Sequence, residues 1–409
     1  MRLEIHDIGH GGVGIARHDG RVVFVRGALP GEVVDAEVTA EKSKFLNAVV
    51  TDVIEPSAYR VEHPWPDGAA GRTGAADFGH VSIEGQLALK TAVVQQNIRR
   101  IGGAELAKEL TEQLGQVDGV GEGVSVRGVD RGDGWGTRTR FEVTKMDSGV
   151  GMYLEKTNDL VPIHEMPLAV PELADLDVWG SAWDASIEPG TRVKIVAPAS
   201  GPNVVVTDEA WAAPGEPAEQ YVWERATTTD QIFDYRLSAS GFWQVHDRAP
   251  STLLRAVLDG AQAAPGERVA ELFSGAGLFT LPLALAVGES GSVHAYEGSK
   301  RAVADARYNL RDTPWARADV RRIDPWIAGE IADADVVVAD PPRSGLGKQT
   351  AAKLAQLRAR TIVLVSCDPA AMARDVAQLV ANGRHVVSID AIDIFPNTHH
   401  VEIVTVLDR

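Results

Sequence analysis

The 409-residue chain contains a single cysteine, Cys367, which excludes an intrachain disulfide framework and any multi-cysteine zinc or iron–sulfur site. No apolar run approaches the roughly 20 residues that a membrane helix needs, and the start MRLEIHDIG lacks a basic-then-apolar signal region. A cytoplasmic protein without membrane contact is the expectation. The chain also lacks a six-residue dinucleotide fingerprint, a phosphate loop with Gly-Lys-Ser/Thr, and any internal repeat. Positive charge is in deficit, with 40 Lys and Arg against 57 Asp and Glu, a formal charge of −17. Taken whole, that balance argues against a nucleic-acid partner, since phosphate binding draws most of its affinity from Lys and Arg.

What is present is the make-up of an ordinary globular protein, 44% apolar and 24% charged with 40 Gly and 21 Pro. Its length exceeds the usual single core, so two or three domains are expected. The charge is unevenly spread: residues 1–60 hold seven basic and nine acidic side chains, residues 241–409 hold 18 and 20, and the remaining −13 falls between them. Local basic surfaces are therefore possible at the near-neutral ends. Arg307-Arg311 and Arg317-Arg321-Arg322 are candidates, with Arg99-Arg100 in the middle, and solvated helix faces are the plainer alternative for each.

Short strand patterns separated by turn glycines over the first 55 residues predict a small five-stranded β-barrel, assigned to residues 1–58. Residues 59–237 form a second unit. It opens on a Gly-, Ala-, Pro- and Asp-rich loop and continues with a helix over 86–101 that can pack on the last domain. A glycine-rich connection at 115–136 follows, then alternating segments that predict a mostly antiparallel sheet. From residue 238 to 409 strand and helix patterns alternate, so the fold class is α/β with a doubly wound, mostly parallel sheet and ligands at the carboxyl ends of its strands.

Chemistry concentrates at those strand ends. Glu271 to Gly277 (ELFSGAG) closes the first strand and opens a helix, where Gly275 and Gly277 would let a ligand press on the backbone; a tight turn is the alternative. Glu297 follows the second strand about twenty residues on, where an acid can accept from both ribose hydroxyls. Without phosphate motifs, a phosphate-free nucleoside cofactor is favoured, and S-adenosylmethionine is the common one. Asp319 would suit the adenine amino group, or cap a loop. Asp340-Pro341-Pro342-Arg343 closes a further strand with a stiffened acidic turn. Cys367 closes the next, ahead of a helix N-terminus expected to lower its pKa, so the thiol is read as reactive rather than as a small buried hydrophobe.

The chain resembles the S-adenosylmethionine-dependent RNA 5-methyluridine methyltransferases, in which a TRAM barrel (OB-like) precedes a central domain and a class I, Rossmann-like methyltransferase domain. The carriers are GHGGVGIARHDGRVVFVRGALPGE, GFWQVH, ELFSGAGLFTLPLA, YEGS, VVVADPPRSGLG, VSCDPAAMARDV and FPNTHHVEIV, seven ordered matches over nearly the whole chain. The resemblance implies Cys367 as nucleophile and Glu402 as base, with Gln244, Phe273, Gly275, Gly277, Glu297, Asp319 and Asp340 at the cofactor. It implies RNA, ribosomal or transfer, as partner and substrate. Two departures stand out. Many relatives bind an iron–sulfur cluster through four cysteines, whereas HPWPDGAAGRTGAADFGHVS has none, so no cluster and no metal is expected. The usual Asn after the glycine turn is Leu278.

Other readings remain open on sequence. A methyltransferase acting on another base is one, although a cytosine C5 enzyme would carry a Pro-Cys nucleophile in the Asp340 turn, and an amino-nitrogen enzyme needs neither Cys367 nor Glu402. A catalytically silent RNA-binding protein is the other.

Overall fold

The computed structural model describes residues 1–114, 123–129 and 132–409; residues 115–122 and 130–131, within the expected connection at 115–136, lie outside the described residues. Among the described residues, no helix is long and apolar enough to cross a membrane.

The first 55 residues form a curled sheet of six strands, in the order Arg2–Glu4, Val33–Glu41, Phe45–Glu55, Arg21–Arg26, Val13–His18, Asp7–Gly9. The sequence suggests five, because Asp7–Gly9 is only three residues long and runs straight into the GHGG turn. Alternation sends Val23 and Val25 inward with Leu3, Val34 and Leu46 to make a private core. Ile8 and Leu29 instead join Phe78, Val81, Leu89 and Val93 in a separate cluster that ties this sheet to the helix Ile83–Asn97.

That helix starts three residues before the expected position because the Ser82 hydroxyl accepts from the Gly85 N–H at 3.2 Å, a side-chain cap that fixes its first turn. It gives way to a wider turn over Ile98–Gly102. Its flank contacts the helix Pro369–Ala381 and the strand Val126–Gly128. The middle of the chain holds a seven-stranded sheet, antiparallel throughout, around Trp65, Phe141, Trp183 and Ile195. The hairpin Tyr221–Thr227 and Ile232–Ser238 turns the other way, burying Val222, Phe233 and Leu237 in the same core as Leu253, Val269 and Leu283.

The last sheet has eight strands, ordered Ala316–Val320, Ser292–Glu297, Arg268–Leu272, Val336–Ala339, Thr361–Ser366, Glu402–Asp408, His385–Asp393, Val126–Gly128. Val336–Ala339 and Thr361–Ser366 are buried along their whole length, as the central strands of a covered parallel sheet must be. Two members escape a periodicity reading: Ala316–Val320 is interrupted by Arg317 and Asp319, and Val126–Gly128 is too short to show a pattern. Glu402–Asp408 runs antiparallel to Thr361–Ser366 with Ile403 opposite Ser366, so its first residue meets its neighbour's end. Cys367 and Glu402 therefore come to one edge, together with the ends of the strands carrying Glu297 and Asp340.

Candidate functional site

A cavity of about 910 Å³ opens above that edge. Of the residues singled out from sequence, Gln244, Phe273, Gly275, Glu297, Asp340, Cys367 and Glu402 line it. Gly277 and Asp319 do not. Gly277 lies behind the turn, where a Cβ would sit 3.6 Å from the Ala306 Cβ, so it allows the turn to pack on the next helix. Asp319 is held by other side chains: its carboxylate lies 2.8 Å from His294 Nε2, accepts from Arg307 at 3.1 Å and faces Arg317. Asp319 therefore stands outside the cavity lining, in a surface cluster with His294, Arg307 and Arg317.

The glycine turn is shaped by backbone conformation. Phe273, Gly275 and Gly277 have φ of 62°, 55° and 93°, values no α-helix tolerates, so the helix Thr280–Val287 starts two residues after the expected Leu278. The Gly275 N–H donates to Glu297 Oε2 at 3.1 Å and the Ser299 N–H to Oε1 at 2.7 Å, which fixes the carboxylate across the cavity floor. A Cβ on Gly275 would touch nothing. Two buried lining atoms, Ser274 Oγ and Trp243 Nε1, have no hydrogen-bond partner. A turn without side-chain cover, a fixed carboxylate and orphaned donors suit a polar nucleoside with an apolar flank. Leu278 also lines the cavity and offers no polar group there; its carbonyl accepts from the Tyr235 hydroxyl at 2.8 Å.

At the other end three acids crowd together. Burial, then the charge of Asp340, lifts the Glu402 carboxyl well above its ordinary range; burial, then Glu297, lifts Asp340. Burial also pushes the Cys367 thiol up to about 11, with Glu402 and Asp340 adding to it and Arg343 opposing. The lowered thiol pKa expected from the helix N-terminus is reversed. The reason is burial of the sulfur, with Glu402 and Asp340 facing it; the helix N-terminus itself is capped by Asp368, whose carboxylate accepts from the Ala371 N–H at 2.7 Å.

Residues not singled out from sequence complete the lining. His400 shares a hydrogen bond with an Arg343 N–H at 3.1 Å, and burial beside His399 and Arg343 pushes its pKa down to about 2, so the imidazole is neutral. Phe242 stands at the mouth, 74% exposed. All three lie inside quoted motifs and were legible as parts of them, yet nothing in their spacing assigns a role. Among the described residues, no cluster of three or more His, Cys, Asp or Glu could hold a metal ion. In the cysteine-free stretch 63–82, Trp65 is buried over Gly68, and His63 Nε2 lies 2.9 Å from the Ala76 carbonyl oxygen.

Comparison with known proteins gives the family of the chain. Residues 1–51 match the TRAM domain and residues 317–409 the tRNA (uracil-5-)-methyltransferase family. An RNA methyltransferase of Bifidobacterium longum is 35% identical, covering 97% of this chain and 93% of its own. One from Streptomyces avermitilis is 34% identical, covering 99% and 97%. The 23S rRNA (uracil(1939)-C(5))-methyltransferase RlmD of a Shewanella species is 28% identical, covering 98% and 94%. The crystal structure of Pyrococcus abyssi tRNA (uracil-54, C5)-methyltransferase with S-adenosyl-L-homocysteine superposes with a TM-score of 0.70. It is 20% identical and covers 100% of this chain and 99% of its own, a likeness of fold.

Proposed function

Because the chain belongs to the S-adenosylmethionine-dependent RNA uracil-C5 methyltransferases, we propose that it methylates carbon 5 of a uridine in ribosomal or transfer RNA through a covalent adduct on Cys367. The observation that carries the reading is the convergence of Asp340, Cys367 and Glu402, from three separate strands, on the cavity that also holds the glycine turn and Glu297. The compartment that fits this substrate is the cytoplasm.

Carbon 5 of uracil is a poor nucleophile. Attack of the Cys367 sulfur on carbon 6 forms an S–C bond and moves the ring electrons to carbon 5. S-adenosylmethionine, when bound along the turn of residues 273–275, supplies an electrophilic methyl group and a positive sulfonium. Gln244, Phe273, Gly275, Glu297 and Asp340 are assigned to hold it. Glu402, which burial and Asp340 hold toward its protonated form in the free protein, acts as base once ionised: it takes the proton from carbon 5, the S–C bond breaks, and Cys367 leaves as thiolate. Burial keeps the Cys367 thiol protonated in the free protein, so the S–H bond breaks and its proton passes to solvent water before the sulfur attacks. The uridine must be turned out of its stack to reach the cavity, at a cost of a few kcal/mol.

The test separates the two ends of the reaction. Cys367→Ala should abolish methyl transfer and give no covalent product. Glu402→Gln keeps the shape of the base but not its function, so methylation should occur once and leave RNA bonded to protein, visible as a slow band on a denaturing gel. Normal turnover by Glu402→Gln without trapped RNA would assign the proton to another group. Mapping 5-methyluridine in the ribosomal and transfer RNA of cells with and without the gene identifies the target.

A further inference from the structure

Glu402 lies at the end of a segment, Asp393 to Val401, that is gripped almost entirely from the middle of the chain. Lys90 Nζ lies 2.6 Å from Asp393 and donates to the Phe395 carbonyl at 3.1 Å, with both charged side chains buried. Asn397 takes a φ of 62°, uncommon for a residue with a side chain. Gln86, fully buried, holds it on both sides: Oε1 accepts from the Asn397 N–H at 2.7 Å and Nε2 donates to Asn397 Oδ1 at 2.9 Å. The Phe78 N–H donates to the Asn397 carbonyl at 3.0 Å.

Asp77 is the last and outermost of these grips. Its Oδ1 accepts from the His399 N–H at 3.0 Å, and its Oδ2 lies 2.5 Å from His399 Nδ1. The His399 ring lies 4.0 Å, centroid to centroid, from that of His400, which lines the cavity. The N-terminal sheet closes on the same spot, since a Cβ on Gly12 would come within 2.6 Å of Phe78 and 2.7 Å of the His399 Cβ.

We propose that Asp77 and His399 are positioning residues for the base: the two hydrogen bonds between them set the path of residues 397–402 and so the placement of the Glu402 carboxylate over carbon 5. The inference rests on the covalent reading above. Neither residue touches the cofactor turn or Cys367, which stand on other strands. Loosening the pair should therefore spare attack and methyl transfer and slow the removal of the proton, the step for which placement to within about 1 Å counts for as much as 100-fold in rate.

The experiment uses the full chain with a uridine-containing RNA substrate and labelled S-adenosylmethionine. Asp77→Ala and His399→Ala should each lower kcat about 10- to 100-fold, leave the KM for S-adenosylmethionine within about twofold, and accumulate a covalent methylated RNA–protein band that resolves slowly. A merely structural role would lower activity without building up that band. Melting curves accompany each variant, and if Asp77→Ala fails to fold, His399→Ala, which keeps the backbone hydrogen bond to Asp77, carries the test. Glu402→Gln runs alongside. Should it trap RNA while both positioning variants show no band, the positioning role is overturned and the base assignment stands. Should Glu402→Gln itself trap nothing, the base assignment fails and this inference falls with it.

Discussion

Cys367 is the only thiol in the chain, so a thiol reagent reports on it alone. With its pKa pushed up to about 11, the thiolate fraction should still be climbing about tenfold per pH unit where an ordinary thiol, near 9, levels off. The rate of alkylation by iodoacetamide, followed from about pH 7 to about pH 10, should rise without a plateau. Levelling off by about pH 10, as an ordinary thiol does, would mean that burial and the acids facing the sulfur do not act on it as their placement requires. The place of the proposed nucleophile in the cavity was legible, because Cys367 closes a buried strand next to the one that ends in the Asp340 turn. Its electrostatics were not, because they depend on burial in the folded sheet edge and on Asp340 and Glu402, far away in sequence. Asp319 makes the converse case: the sequence offers it as an adenine contact or a loop cap, and the His294, Arg307 and Arg317 that face it come together only once the sheet edge has formed.

The strand Arg268–Leu272 carries the least comfortable acid among these elements. Glu271 is buried, accepts one hydrogen bond, from the Thr280 hydroxyl at 2.6 Å, and its other oxygen has no partner. Burial, with Asp340 and Glu297 nearby, pushes its pKa up to about 8. The folded state therefore keeps a proton that the unfolded chain has already released above the ordinary value of 4.5. Stability contributed at this position is full below that value and is lost as pH rises toward about 8. Thermal melting should show the wild type weakening from about pH 5 to about pH 8 and Glu271→Gln weakening less. Asp340 and Glu402, raised for the same reason, keep the variant's slope from vanishing. If the two proteins lose stability in parallel, Glu271 is not protonated in the fold. At this scale the legible parts were those with a continuous pattern. Val336–Ala339 and Thr361–Ser366 read directly as buried strands, whereas the start of the helix Ile83–Asn97 turned on one hydroxyl, that of Ser82.

At the scale of the whole molecule, a chain of net charge −17 must meet a polyanion. It can do so only where acids are locally absent or paired. One such place is the outer face of the N-terminal sheet, where Arg17, Val22 and Phe45 stand in one cross-strand row. Phe24 packs edge-on to Phe45 with ring centres 5.5 Å apart, and Lys42 and Lys44 are exposed in the adjoining turn. Half-exposed rings flanked by cations form the kind of surface on which single-stranded RNA stacks. Deleting the whole sheet cannot test this cleanly, because Ile8 and Leu29 cover Phe78, Val81, Leu89 and Val93, and their loss would strip a core shared with the helix Ile83–Asn97. Charge reversal on the outer face leaves that core intact. The triple variant Arg17→Glu, Lys42→Glu, Lys44→Glu should melt near the wild type and bind S-adenosylmethionine with unchanged affinity. Its KM for RNA should rise by about tenfold or more, and the slope of log affinity against log salt should become shallower by about 2, as three lost phosphate contacts on a single strand predict at about 0.7 each. An unchanged KM and slope would place the RNA grip elsewhere, leaving the GHGG turn against Phe78 and His399 as the sheet's contribution to catalysis.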